Sequence, residues 1–110
     1  MKKTIWVLTL AAALAFPTMA QAAENPPTQD INRMLTDAAI AKNIPPEVLK
    51  AVAMQESSWR QFENGQPYIN TKDNGIGLMQ LTNKMEYDEA RLKTDIVYNI
   101  EKGAEVLDSM

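Results

Sequence analysis

The sequence of 110 residues contains no cysteine and no histidine. Without cysteine it can form no disulfide, no thiolate nucleophile and no cysteine-based metal site. Without histidine it lacks the usual general base at neutral pH, the commonest metal ligand and every Ser-His catalytic arrangement. Any enzymatic chemistry must therefore use carboxylates, hydroxyls, amides, lysine or tyrosine.

Long apolar runs are almost absent as well, and the clearest one is N-terminal. Lys2 and Lys3 precede an apolar run from Ile5 to Phe16, and Ala20-Gln21-Ala22 has the small-x-small form that a signal peptidase reads. We expect a signal peptide over residues 1–22, with export to the periplasm, the cell wall or the medium. The alternative is an uncleaved anchor, but the run is shorter than the roughly 20 residues of a spanning helix. No stable membrane anchor is therefore expected after cleavage.

Positive charge is scarce in the remaining 88 residues, which make one small domain. They hold 9 basic and 14 acidic residues, a net charge of −5. Because phosphate contacts need clustered Lys and Arg, no nucleic-acid partner is expected. Residues 23–29 contain Pro26-Pro27 and are predicted to be a linker, so the domain is predicted to span 30–110.

Strand signals are weak, and three helical patterns predict an all-α or mainly α fold. Asp30 is the predicted N-cap of a first helix that ends near Asn43. Pro46 suits the first turn of a second helix, and Asp95 is predicted to cap the last one. Between them we expect a loop over 60–74, a compact apolar segment over 77–81, and an irregular stretch over 82–94 with a helical turn at 86–92. Gly103 inside the last helix costs about 1 kcal/mol relative to Ala and indicates a close helix–helix contact.

Glu56 is the candidate catalytic residue. It lies seven residues after Leu49 and four after Val52, on the apolar side of the second helix and in its last turn. A buried carboxyl group holds its proton more strongly, as a general acid near neutral pH requires. The alternative is an ordinary solvated Glu at a frayed helix end, which spacing alone favours.

Other candidates have structural alternatives of comparable weight. Ser57 could hydrogen-bond a neighbouring carboxyl group, and Gly75 and Gly77 could let a backbone approach a ligand. Met79 could offer a ligand an apolar surface and Gln80 an amide. The aromatic rings of Trp59 and Tyr68 could stack on sugar rings. Each of these residues could equally be a packing residue.

Taken in order, three segments resemble the SLT lytic transglycosylase domain, which is related to goose-type lysozymes. They are a Pro-initiated helix ending in Glu-Ser, a Gly-Leu-Met-Gln segment some twenty residues later, and an Asn-Ile-x-x-Gly-Ala-x-x-Leu helix; here these are 46–57, 77–80 and 99–107. The resemblance covers most of the mature chain. It implies a lysozyme-like helical fold and glycan strands of peptidoglycan as the substrate.

The resemblance also implies roles for individual residues. Glu56 matches the family's acid/base, and Asn99 matches a position that organises the final helix. Ser57 matches the residue that follows the acid/base, and Gly77, Met79 and Gln80 match the segment that lines the cleft. These four residues and Tyr68 are the substrate-binding candidates. The chain departs from the family at Thr71 and Asn74-Gly75. It also ends at Met110 without the Ala-Tyr-Asn-Gly motif that follows in the family, so we expect a domain that is incomplete after its third main helix.

The implied mechanism uses one carboxylate and consumes no water, metal or cofactor. Glu56 would protonate the glycosidic oxygen between N-acetylmuramic acid and N-acetylglucosamine and then activate the muramoyl C6 hydroxyl, leaving a 1,6-anhydro ring. One alternative is a hydrolytic lysozyme. Another is an inactive or truncated module that binds peptidoglycan or assists assembly, with a protein partner covering the last helix.

Overall fold

A computed structural model describes residues 23–83 and 86–110, so the predicted signal peptide lies outside the described residues. In the described part, four helices flank one short hairpin. The elements are α1 (Thr28–Ala41), α2 (Pro46–Ser57), β1 (Phe62–Glu63), β2 (Gln66–Pro67), α3 (Glu89–Thr94) and α4 (Ile96–Asp108). The mainly α, lysozyme-like class expected from the sequence is confirmed.

Helix α1 begins earlier than the sequence indicated. Its N-cap is Pro27, whose carbonyl accepts the N–H groups of Asp30 and Ile31 at 2.9 and 3.1 Å. The prediction of Asp30 as the N-cap is therefore wrong, because a carbonyl already supplies the acceptor. Asp30 lies instead in the first turn, where its charge favours the helix dipole.

Helix α2 begins at Pro46 as predicted, since proline has no N–H to lose at a first helical position. Its buried stripe consists of Leu49, Ala53 and Ser57, which are four residues apart. Val48, which precedes the first residue of this stripe, is exposed. The helix ends at Ser58, which is left-handed at φ 56°.

The loop after α2 contains the hairpin. Phe62 pairs with Pro67 and Glu63 with Gln66. The connecting residues Asn64 and Gly65 have φ of 55° and 76°. Positive φ at both positions is what a two-residue hairpin turn of type I′ requires, and Asn-Gly is the favoured pair for it.

The segment before α1 is fixed to this hairpin by one side chain. The Oδ1 atom of Asn25 accepts the N–H groups of Gln61 and Phe62, both at 2.8 Å. Its Nδ2 donates to the carbonyl of Phe62 at 2.9 Å. Residues predicted to form a linker therefore contact the domain.

The N-cap of helix α4 is Asp95, whose side chain accepts the N–H of Tyr98 at 3.1 Å, so the predicted cap is confirmed. Helix α1 packs against both α2 and α4. The core between them consists of Ile31, Leu35, Ala39, Ile44, Leu49, Ala53, Leu78, Met79, Ile100 and Ala104. Within residues 23–83 and 86–110, none of the helices has the length and apolar character to span a bilayer.

Candidate functional site

An open cleft of about 370 Å³ lies between the end of α2 and the second half of α4. It is lined by Val52, Glu56, Met79, Gln80, Leu81, Gly103, Val106, Leu107 and Met110. Among these lining residues Glu56 is the only one with an ionisable side chain. The cleft therefore presents one side-chain carboxylate against a mostly apolar wall.

The side chain of Glu56 is exposed in this structure. Of the two alternatives left open by the sequence, burial is wrong and the solvated position favoured by spacing is observed, because the buried stripe of α2 runs through Leu49, Ala53 and Ser57. Val52 and Glu56 flank that stripe and border the cleft instead. What the fold provides is an acid at the rim of an apolar cleft, with one side in solvent.

Ser57 is buried next to Glu56, and its hydroxyl forms hydrogen bonds with residues that follow α2. The Oγ atom donates to the carbonyl of Leu78 at 2.7 Å and accepts the N–H of Arg60 at 3.0 Å. The hydroxyl is thus turned toward the Gly-Leu-Met-Gln segment rather than toward the neighbouring carboxyl group. It ties the turn of α2 that carries Glu56 to residue 78.

The Gly-Leu-Met-Gln segment forms a tight buried turn opposite α2. Ile76 and Leu81 exchange backbone hydrogen bonds of 2.8 and 3.2 Å across it. Gly77 inside the turn has φ 71°, a value that favours glycine. The turn places the side chain of Met79 in the cleft, 5% exposed.

Gly103 contacts this turn rather than another helix. A Cβ atom at Gly103 would lie 2.7 Å from Met79 Cβ and 2.9 Å from Met79 Cε. The predicted helix–helix contact is therefore wrong in its partner, although the close approach itself is present. The missing side chain makes room for the methionine that lines the cleft.

Gln80 also borders the cleft, with φ 54°. Its Nε2 donates to the carbonyl of Gly77 at 2.9 Å. Its buried Oε1 has no hydrogen-bond donor among the described residues. This side chain thus reinforces the turn and leaves one acceptor unused.

The two aromatic candidates lie elsewhere. Arg60 stacks on the ring of Tyr68 at 4.3 Å, and Tyr68 is not among the residues that line the cleft. The indole N–H of Trp59 donates to the carbonyl of Lys50 at 3.0 Å, which fastens the ring to α2. The structure therefore brings Met79 and Gln80 to Glu56, whereas Ser57 and Gly77 support the cleft from behind.

Sequence reasoning missed Gln61, whose side chain is completely buried. Its amide bonds to both the Gly-Leu-Met-Gln turn and the end of α3. A single glutamine in a polar loop carries no periodic signal that would indicate such burial. Asn99 was assigned to the organisation of α4, and the structure shows that it binds the same turn.

A second groove of about 330 Å³ lies between α1 and α4. Its charged lining residues are Asp37, Lys42, Glu101 and Glu105, and it contains none of the predicted site residues. In the described ranges no group of three or more acids is arranged to hold a metal ion. The cleft at Glu56 is therefore the candidate functional site.

Comparison with known families gives one informative match. Residues 33–110 match the family model described as Transglycosylase SLT domain. The match covers 78 of the 110 residues, well over half of the chain. Searches of curated proteins and of solved structures gave no match.

Proposed function

Because the chain belongs to the transglycosylase SLT family, we propose that it cleaves the β-1,4 bond between N-acetylmuramic acid and N-acetylglucosamine in peptidoglycan. The family's activity is that of a lytic transglycosylase, and its members act on peptidoglycan outside the cytoplasm. The observation that carries the proposal for this chain is the lone carboxylate of Glu56 at the rim of an apolar cleft. Met79 and Gln80 face it there.

In the proposed reaction Glu56 serves as both acid and base. It donates its proton to the glycosidic oxygen as the C1–O bond breaks, and an N-acetyl group of the substrate stabilises the positive charge at C1. The carboxylate then takes the proton of the muramoyl C6 hydroxyl while that oxygen bonds to C1. The proton returns to Glu56, the product holds a 1,6-anhydro ring, and no second carboxylate of the kind used by most glycosidases is required.

Substrate binding completes the environment that the acid needs. Glu56 is exposed in the free chain. A sugar filling the cleft would displace water from beside Val52, Leu81 and Leu107. The glycosidic oxygen would then lie beside the Glu56 carboxyl group with less water between them.

The test is digestion of purified peptidoglycan with mass analysis of the products. Glu56→Gln should lower the rate about 10²- to 10⁴-fold, the usual contribution of a general acid or base, with glycan binding retained. Glu47→Gln removes an exposed carboxylate from the first turn of the same helix and should stay within about twofold of wild type. Wild-type digestion by Glu56→Gln would exclude the assignment.

The same experiment separates two other functions. A hydrolytic lysozyme would give products heavier by one water than anhydro products. A binding module would retain the glycan and release nothing, and the exposure of Glu56 is the observation that favours this alternative. Anhydro products from the wild-type chain would exclude both.

We propose further that the chain is exported, with cleavage after Ala22. The proposal rests on the N-terminal sequence pattern and on the location in which the family acts. N-terminal sequencing of the mature protein should begin at Ala23. A chain that retains Met1 in the cell envelope would instead show an uncleaved anchor.

A further inference from the structure

We infer that Gln61 is a positioning residue for the cleft, an inference that rests on the proposed function of Glu56. The side-chain amides of Gln61 and Asn99 form a buried pair beneath the Gly-Leu-Met-Gln turn, and both residues are fully buried. The pair fixes the backbone of residues 76–79. Through that backbone it sets where Met79 and Gln80 lie relative to Glu56.

The amide of Gln61 connects the turn to α3. Its Oε1 accepts the N–H of Leu78 at 3.0 Å. Its Nε2 donates to the carbonyls of Leu92 and Lys93 at 2.8 and 3.1 Å. Both the oxygen and the nitrogen of the amide therefore form hydrogen bonds, which a hydrocarbon side chain could not make.

Asn99 makes the same kind of contact with Met79, the residue of the turn that follows Leu78. Its Oδ1 accepts the N–H of Met79 at 2.8 Å, and its Nδ2 donates to the carbonyls of Ile76 and Leu92, both at 3.0 Å. Two successive N–H groups of the turn are therefore held by side chains from two different parts of the chain. Leu92 accepts from both amides and joins them into one network.

Leu78 also connects the turn to α2, the helix that carries Glu56. While Gln61 accepts the N–H of Leu78, Ser57 donates to the carbonyl of Leu78 at 2.7 Å. Ser57 directly follows Glu56, so residue 78 is held between the end of α2 and the amide pair. Reacting groups lose rate steeply when they are displaced by about an ångström, which makes this connection relevant to the reaction.

Gln61→Met is the direct test, because methionine has a similar length and cannot make the three hydrogen bonds. Gln66→Met is the matched control, since Gln66 is an exposed glutamine on β2 of the hairpin that follows Gln61. Amide hydrogen exchange reports the turn directly. We expect the Leu78 N–H to exchange at least about tenfold faster in Gln61→Met, with Leu35 in the middle of α1 within about twofold of wild type.

The kinetic readout uses soluble glycan fragments and is normalised to the folded fraction from near-UV circular dichroism. For Gln61→Met we expect kcat per folded molecule to fall about tenfold, with KM within about twofold. Gln66→Met should match wild type in both experiments. If Gln61→Met does not fold, Gln61→Asn carries the same expectations, because it withdraws the amide by one methylene and keeps a polar group.

Three results would overturn the inference: unchanged exchange at Leu78, equal acceleration at Leu78 and Leu35, or a wild-type kcat per folded molecule despite faster exchange at Leu78. The second would show that Gln61 contributes to global stability alone. An inactive wild-type chain would refute the proposed function and the catalytic relevance of Gln61. The exchange data would then still decide separately whether Gln61 orders the turn.

Discussion

Gly77→Ala tests how little space the side chains of Gln61 and Asn99 leave around Gly77 in the turn. A Cβ atom at Gly77 would lie 2.7 and 2.8 Å from Oε1 and Nε2 of Gln61, and closer still to Nδ2 of Asn99. All three atoms are engaged in hydrogen bonds. The added methyl group must therefore displace partners that are fully buried.

Three effects add in this variant, and a second glycine isolates the first of them. Alanine at positive φ costs about 1–2 kcal/mol, and Gly65→Ala carries that cost alone, because Gly65 has φ 76° and nothing within 4 Å of its would-be Cβ. Gly77→Ala adds overpacking of about 1–3 kcal/mol and the loss of buried hydrogen bonds at about 1–3 kcal/mol. We expect destabilisation of about 3 kcal/mol or more for Gly77→Ala, against about 1–2 for Gly65→Ala.

Urea denaturation of the two variants and wild type, followed by circular dichroism, gives the free energies of unfolding. A total of about 3 kcal/mol is a large part of the stability of a small domain, so the difference is readily measured. If both alanine variants lose the same free energy, the space around Gly77 is not as restricted as the structure indicates, and the reasoning fails.

Two further substitutions test the supports of the fold. Ser57→Ala leaves the buried carbonyl of Leu78 without its hydroxyl donor and should cost about 1–3 kcal/mol in urea denaturation, whereas exposed Ser58→Ala should stay within about 0.5 kcal/mol. The N–H of Tyr98, followed by the Arg91 guanidinium, lowers the pKa of Asp95 despite partial burial. Asp95→Ala should therefore cost about 1 kcal/mol as a lost N-cap at pH 7. Because a lowered pKa gives stability that is lost as pH falls, the difference from wild type should shrink below about pH 4; a constant difference would contradict this account.

The helices that carry local signals were predictable from the sequence. Pro46 at a first helical position and Asp95 as a side-chain cap both act within one turn, so a linear pattern contains them. Ile100 and Ala104 of α4 are both buried and lie four residues apart, a spacing that is also local to the helix. At Asp30 the same reasoning failed, since the backbone carbonyl of Pro27 supplied the acceptor.

The candidate site depended on contacts between distant parts of the chain, which no local pattern encodes. The exposure of Glu56 follows from which side of α2 meets the turn at Leu78, and that turn is some twenty residues away. The burial of Gln61 depends on α3, about thirty residues further on. The family resemblance proposed Glu56, Ser57, Gly77, Met79 and Gln80 as site residues. Of these, Glu56, Met79 and Gln80 line the cleft in the structure.

The hydrogen bonds of Asn25 place a limit on how the N-terminus can be processed. Cleavage after Ala22 leaves Asn25 as the third residue of the mature chain, eight residues before the family match begins. A cut or a later trimming event that removed residues 23–25 would expose the buried backbone of Gln61 and Phe62 to water. The proposed cleavage after Ala22 meets this limit, because it retains Asn25 and its hydrogen bonds to Gln61 and Phe62. A recombinant form that begins at residue 33 would not meet it.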